Sequence, residues 1–129
     1  MQEELFMSEY FEWDGFSNVY LEDSFVLQIS ESRTEFIFDI EIVLTEEHPL
    51  FEQPKADERY CYHNGKLLFS GISAVNWKRK SAVSSYDANG EVDYGNIDVL
   101  RKVGEELYQV SGDWGDLEIT STHIEIIFR

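Results

Sequence analysis

Residues 35–44 constrain the fold more than any other stretch of the chain. Phe36, Phe38, Ile40, Ile42 and Leu44 alternate with Glu35, Ile37, Asp39, Glu41 and Val43. On a helix these apolar side chains would scatter around the axis. On a strand they share one face, and that face must be buried. The opposite face is mixed rather than polar, because Ile37 and Val43 flank Asp39 and Glu41. A face of that kind suits a second layer or a partner.

Other segments repeat the period. Residues 19–21 and 25–30 read as strands, with Phe25, Leu27 and Ile29 on one face and Val26, Gln28 and Ser30 on the other. Tyr10, Phe11 and Trp13 suggest a short first strand ending at Asp14-Gly15. Residues 59–63 and 66–69 flank Asn64-Gly65, the pair preferred in two-residue hairpin turns, where both central residues need positive φ. The second arm of that hairpin runs past a bulge at Gly71 to Trp77. Near the end, 107–111, 117–120 and 124–128 read as three short strands, joined by Gly112-Asp113-Trp114-Gly115 and by Ser121-Thr122.

Two loops interrupt the pattern. Residues 45–58 contain Pro49 and Pro54, which exclude a central strand or a helix interior. Residues 81–95 are rich in Ser, Asp, Asn and Gly. Residues 97–103 fit a short helix capped by Asn96 or a further strand. The expected fold is therefore all-β, with room for one short helix. It is an antiparallel β-sandwich or small barrel of about eight strands, ending in a β-meander. A length of 129 residues fits one domain. Phe36, Phe38, Ile40, Ile42, Leu117, Ile119, Ile124, Ile126 and Phe128 are the expected core.

Charge narrows the partners. The chain has 26 Asp and Glu against 10 Lys and Arg, a formal charge of −16. Residues 1–58 hold 16 acids and two bases, whereas 59–129 hold ten and eight. Nucleic acid is an unsuitable ligand, because phosphates need clustered cations. The run Lys78-Arg79-Lys80 after Trp77 is small beside that field, and reads as a solvated strand end or an intramolecular partner for the acidic half. No apolar run approaches the ~20 residues of a membrane span, and the first ten residues carry no basic leader. A cytoplasmic protein with no membrane contact is expected.

No motif identifies a reaction. Asp113 and Asp116 bracket Trp114. They read as turn residues beside a tryptophan capping the core, rather than as a carboxylate pair with a sugar platform. The loop 87–93 offers oxygen ligands but misplaces the glycine and the final carboxylate of a calcium loop. His48, His63 and His123 lie on separate segments without zinc spacing. Cys61 and His63 share a strand face two residues apart, yet read as a buried, quiet thiol beside a hairpin histidine. No catalytic residue, metal or cofactor is assigned, and the chain is not expected to be an enzyme.

The leading expectation is an acidic binding protein that meets a basic protein partner, in the manner of an immunity or antitoxin-like inhibitor. Its contact residues would be Asp39, Glu41, Glu46, Glu47, Leu50 and Phe51, with the last two as an apolar anchor ringed by acids. The alternative is a β domain that holds an apolar or sugar ligand among its aromatics, with Trp13, Trp77, Trp114 and the tyrosines as lining.

Overall fold

The computed structural model describes residues 7–80 and 94–129. The alternating stretch is a strand, β3 (Glu35–Leu44), with Phe36, Phe38, Ile40, Ile42 and Leu44 all buried. Around it lie β1 (Ser8–Glu9), β2 (Val19–Glu31), β4 (Cys61–Lys80), β5 (Val99–Lys102), β6 (Leu107–Gly112) and β7 (Gly115–Phe128). They form one seven-stranded sheet in the order β1-β5-β6-β7-β4-β3-β2, with every neighbouring pair antiparallel. A single 3-10 turn, Tyr10–Glu12, is the helical content among the described residues. Tyr10 and Phe11 therefore stand in that turn, and Trp13 just beyond it, rather than in a first strand.

One sheet replaces the expected sandwich, and its ladder does not close into a barrel. Three devices bend it. The first is shared by β4 and β7. On β4 the core-facing positions run Leu67, Phe69 and then Ile72. On β7 they run Leu117, Ile119 and Ser121, and resume at Ile124. Both strands thus change phase at one place, between the pairs Ser70–His123 and Ile72–Ser121. Gly71 sits there at φ +64°, and a Cβ on it would lie 1.9 Å from Thr122 Oγ1. Ser121 Oγ donates to the Ser70 carbonyl at 2.6 Å and fills the angle of the bend. The expected turn at Ser121-Thr122 is this bend inside one continuous strand. The last two of the three expected short strands are both β7, and the meander is β5-β6-β7 instead. A register shift between Ile72 and Ala74 adds the bulge expected near Gly71.

The second device lies in β2, which joins the two short strands read from the sequence. Its pairing with β3 jumps from Tyr20–Val43 to Phe25–Glu41. Residues 21–24 are left as a wide bulge. Ser24 bridges it by donating Oγ to the Tyr20 carbonyl at 2.7 Å and accepting the Val43 amide at 2.9 Å. The third device is the segment ahead of β5. The Val26 amide donates to the Gly95 carbonyl at 2.8 Å, and the Ile97 amide to the Leu21 carbonyl at 3.4 Å. The far edge of the sheet is thereby tied to the start of β5. The ambiguous 97–103 segment resolves as strand β5, not helix.

The inner surface of this curled sheet is the core. Phe38 contacts Phe36, Phe69 and Trp114, with ring centroids 5.1, 6.3 and 5.0 Å away. Tyr10, Phe16, Ile97, Leu100, Tyr108 and Val110 complete it near the β1-β5-β6 end of the strand order, and Val19, Leu21 and Val26 complete it from β2. Ile124, Ile126 and Phe128 pack against it while half-buried, because β6 pairs with β7 only as far as Leu107–Thr120 and leaves that half of β7 with β4 alone as its ladder partner.

The Asn64-Gly65 hairpin is absent, and 61–80 is one strand. Gly65 pairs with Ile40 on one side and Phe128 on the other. A Cβ there would meet the Ile127 carbonyl oxygen at 2.8 Å and Ile42 Cδ1 at 2.9 Å. Close approach of neighbours, not a turn, is what demands glycine. Gly65→Val should therefore destabilise the protein by about 1–3 kcal/mol through overpacking. Urea denaturation reads this directly, and an unchanged midpoint would mean that the site has room and that Gly65 serves some other purpose.

Candidate functional site

The β2 bulge and the 45–60 connection together shape the outer surface of the sheet. Val43 points away from the main core, yet it is buried. Residues 45–60 join β3 to β4 through successive turns, with amides of Thr45, His48 and Phe51 donating to the carbonyls of Asn18, Thr45 and His48. The connection is held down at both ends. At the near end Thr45 N donates to the Asn18 carbonyl at 3.0 Å; within the connection Leu50 N donates to His48 Nδ1 at 3.0 Å, and Glu52 N to Cys61 Sγ at 3.3 Å. At the far end Tyr60 donates its hydroxyl to Asp23 Oδ2, in the bulge, at 2.7 Å.

Two hollows open along this connection, and Arg59 and Tyr60 belong to the walls of both. The first, of about 480 Å³, has Val43, Leu44, Phe51, Pro54 and Cys61 as its apolar part, with Tyr20, Glu46 and Gln53 around them. The second, of about 430 Å³, is lined by the rings of Phe25, Tyr60 and Tyr62 together with Glu22, Asp23, Asn96 and Asp113. Tyr60 and Tyr62 stand 6.1 Å apart at 89°, and Phe25 lies 5.7 Å from Tyr62. The hydrogen bond to Asp23 raises the Tyr60 hydroxyl pKa, because losing the proton would break it. Burial raises that of Tyr62, and Asp23, Glu41 and Glu58 add to the effect against Arg59.

A third hollow, of about 310 Å³, sits near β1, between Trp13, Phe16, Tyr108 and Lys102. Trp13 is the one tryptophan that lines any of these three hollows. Trp77 packs against the core, and Trp114 is 2 % exposed and donates Nε1 to the Asn96 carbonyl. Trp114 is thus the core cap expected of it and offers no platform for a sugar. The tyrosines, not the tryptophans, make the outer cleft. Nothing in the residue pattern pointed to Tyr20, Tyr60 and Tyr62 as a group. Their grouping depends on the bulge at 21–24, whose polar residues resemble an ordinary turn.

The residues proposed for partner contact fall in different settings. Asp39 is half-buried on β3 and bonds to Arg129. Glu41 is half-buried on the same strand face, opposite Asn64. Glu46 and Glu47 are exposed in the connection, and Leu50 is 41 % exposed. Phe51 turns inward against the core, so the expected Leu50–Phe51 anchor is split. Glu46 and Phe51 line the same hollow.

Lys78 pairs with Glu118 at 3.8 Å, from the more balanced half of the chain. Arg79 donates to the Gly112 carbonyl, and Lys80 stands over the Trp77 ring. The basic run is therefore used internally. Cys61 is buried, and no hydrogen bond joins it to His63, which contacts the Arg129 carbonyl and the Phe128 ring. The 87–93 loop lies outside the described residues. Among those described, no three His, Cys, Asp or Glu side chains gather as a metal site, and no helix is long and apolar enough to cross a membrane. No family model, curated protein or solved structure matches the chain.

His48 makes the connection sensitive to pH. Its Nδ1 accepts the Leu50 amide only when unprotonated, and its ring lies 5.0 Å from that of Phe128. Burial lowers its pKa, and the charge of His63 lowers it further. The folded state thus binds a proton less readily than the unfolded chain. The stabilisation is complete above the ordinary imidazole value of about 6.5 and is lost as pH falls below it. His48→Asn keeps an acceptor for the amide two residues on but does not titrate. Urea denaturation at pH 7.5 and 5.5 should show a smaller drop for His48→Asn than for the wild type. Equal drops would remove His48 from the account.

Proposed function

We propose that the chain is a small-ligand-binding β domain whose site is the tyrosine-lined outer cleft. One observation carries this reading: two adjoining hollows share the Arg59–Tyr60 wall, over a strand position, Val43, that is buried outside the main core. An apolar floor with a few polar groups at the rim is the usual make-up of a small-molecule site. The polar part of the lining here has Arg59, Glu46 and Gln53, with Tyr20 and Tyr60 beside them. The floor takes an apolar or ring-shaped body, and the rim fixes its orientation by hydrogen bonds.

The acidic-inhibitor reading keeps the net charge of −16 as its support. Against it, Asp39 is engaged by Arg129 and Phe51 is drawn inward. Salt separates the two readings. Apolar and hydrogen-bonded ligands bind with little dependence on ionic strength, whereas steering toward a basic protein weakens steeply with it.

Isotope-labelled protein titrated with a panel of neutral sugars and small aromatic compounds tests the proposal. Amide shifts should saturate and concentrate at Tyr20, Val43, Phe51 and Tyr60, and should persist at high salt. Tyr60→Ala should weaken binding about tenfold or more, as loss of a central aromatic contact does. If no compound shifts these amides and a basic protein binds in a salt-sensitive way, the inhibitor reading replaces this one.

A further inference from the structure

We propose that the hollow between Phe25, Tyr60 and Tyr62 takes an organic ammonium group, held against the carboxylates of Glu22, Asp23 and Asp113. The inference rests on the cleft being a ligand site and adds the chemical class of the group bound in one half of it. The aromatic side comes first. Tyr60 and Tyr62 are perpendicular, at 89°, so rings lining one hollow present walls in two directions. Phe25 adds a third ring 5.7 Å from Tyr62 and is 44 % exposed. Aromatic faces attract cations through their quadrupole, and boxes of such rings suit methylated ammonium groups, which are large and weakly hydrated.

The acids of the same lining supply the charge. Three carboxylates line this hollow against one cation, Arg59. Asp23 is fixed by the Tyr60 hydroxyl at 2.7 Å and faces the same space. These acids do not converge as a group of metal ligands among the described residues. A small hard cation needs several oxygens at close range. Spread carboxylates beside rings suit a diffuse cation instead. A neutral ligand would leave that charge uncompensated.

Arg59 is informative in its own right. Its guanidinium carbon lies 5.4 Å from the centre of the Tyr60 ring. It makes no ion pair among the described residues. The ring therefore already accepts a cation, and the side chain competes with any ammonium for this wall. That gives the proposal a sign that a purely structural role for Arg59 does not share.

The experiment compares choline chloride with 3,3-dimethylbutan-1-ol, its neutral carbon isostere, by amide shifts on wild-type protein at matched ionic strength. Choline should bind at least about tenfold more tightly, with shifts at Phe25, Tyr60 and Tyr62. Tyr62→Leu and Asp23→Asn should each weaken choline binding about tenfold, while Tyr62→Phe should stay within about twofold. Arg59→Gln should tighten choline binding several-fold and leave the isostere unchanged. Equal affinity for choline and the isostere would overturn the ammonium assignment while leaving the cleft as a ligand site. Silence with both probes would overturn it as well, and the neutral panel above judges the cleft separately. Weaker choline binding by Arg59→Gln would also contradict it.

Discussion

Among the described residues, the apolar inner face of a single sheet is covered by little but the sheet itself, and the main irregularities of the fold serve that burial. Neither a second sheet nor a helix longer than one turn packs on the core among the described residues. Burying a large aromatic side chain is worth ~1.5–3 kcal/mol, and Phe36, Phe38 and Phe69 are all fully buried. Curling is the one route to that burial. The shared phase change of β4 and β7, the bulge in β2 and the tie at Gly95 and Ile97 are the means. The seam where the sheet's ends meet is polar and well matched. Tyr10 donates to Glu22 at 2.6 Å and accepts the Leu21 amide at 3.2 Å. Asn96 reaches the Glu22 carbonyl and Asp98, and its own carbonyl accepts from Trp114. Backbone groups that a flat sheet would leave open at its edge are satisfied by this short stretch.

The cleft is a by-product of the same bending. Three extra residues on β2 push Glu22 and Asp23 out of the ladder, and Ser24 folds back to replace the lost pairing. Asp23 then anchors Tyr60, which places the end of the connection against the bulge. Had β2 paired regularly with β3, these two acids would alternate faces on a strand and would not both line the hollow with Tyr62. Local irregularity at the edge of a sheet is where binding groups are commonly aimed, because the ladder no longer dictates their direction.

Much of the fold was legible because period-two patterning survives any curvature. The burial of Phe36, Phe38, Ile40 and Ile42 follows from alternation alone. Where pattern and structure part, a phase break in the sequence resembles a turn. Leu117 and Ile119 differ in parity from Ile124, Ile126 and Phe128, and two polar residues near the break look like a loop. A continuous strand absorbs that change when its neighbour bends with it, and the signal lies in the neighbour, at Gly71. Asn64-Gly65 misled for a related reason. Glycine permits a turn, but it also permits two strands to approach one backbone, and the sequence does not say which. The candidate site was less legible still. Tyr60 and Tyr62 meet Asp23 through a bulge that has no sequence signature, whereas the acidic residues of the charge pattern are dispersed over β3 and the connection.

The account stands or falls on the tie between the far edge of the sheet and the start of β5. Native-state hydrogen exchange at the Val26 amide measures it most directly, since that amide donates to Gly95 rather than to a ladder partner. Its protection should be close to that of the amides of β3, a strand paired on both sides, and should be lost only on global unfolding. Exchange of Val26 at the rate of an open strand edge, with β3 still protected, would mean that the sheet is not tied there and that the cleft lacks its frame.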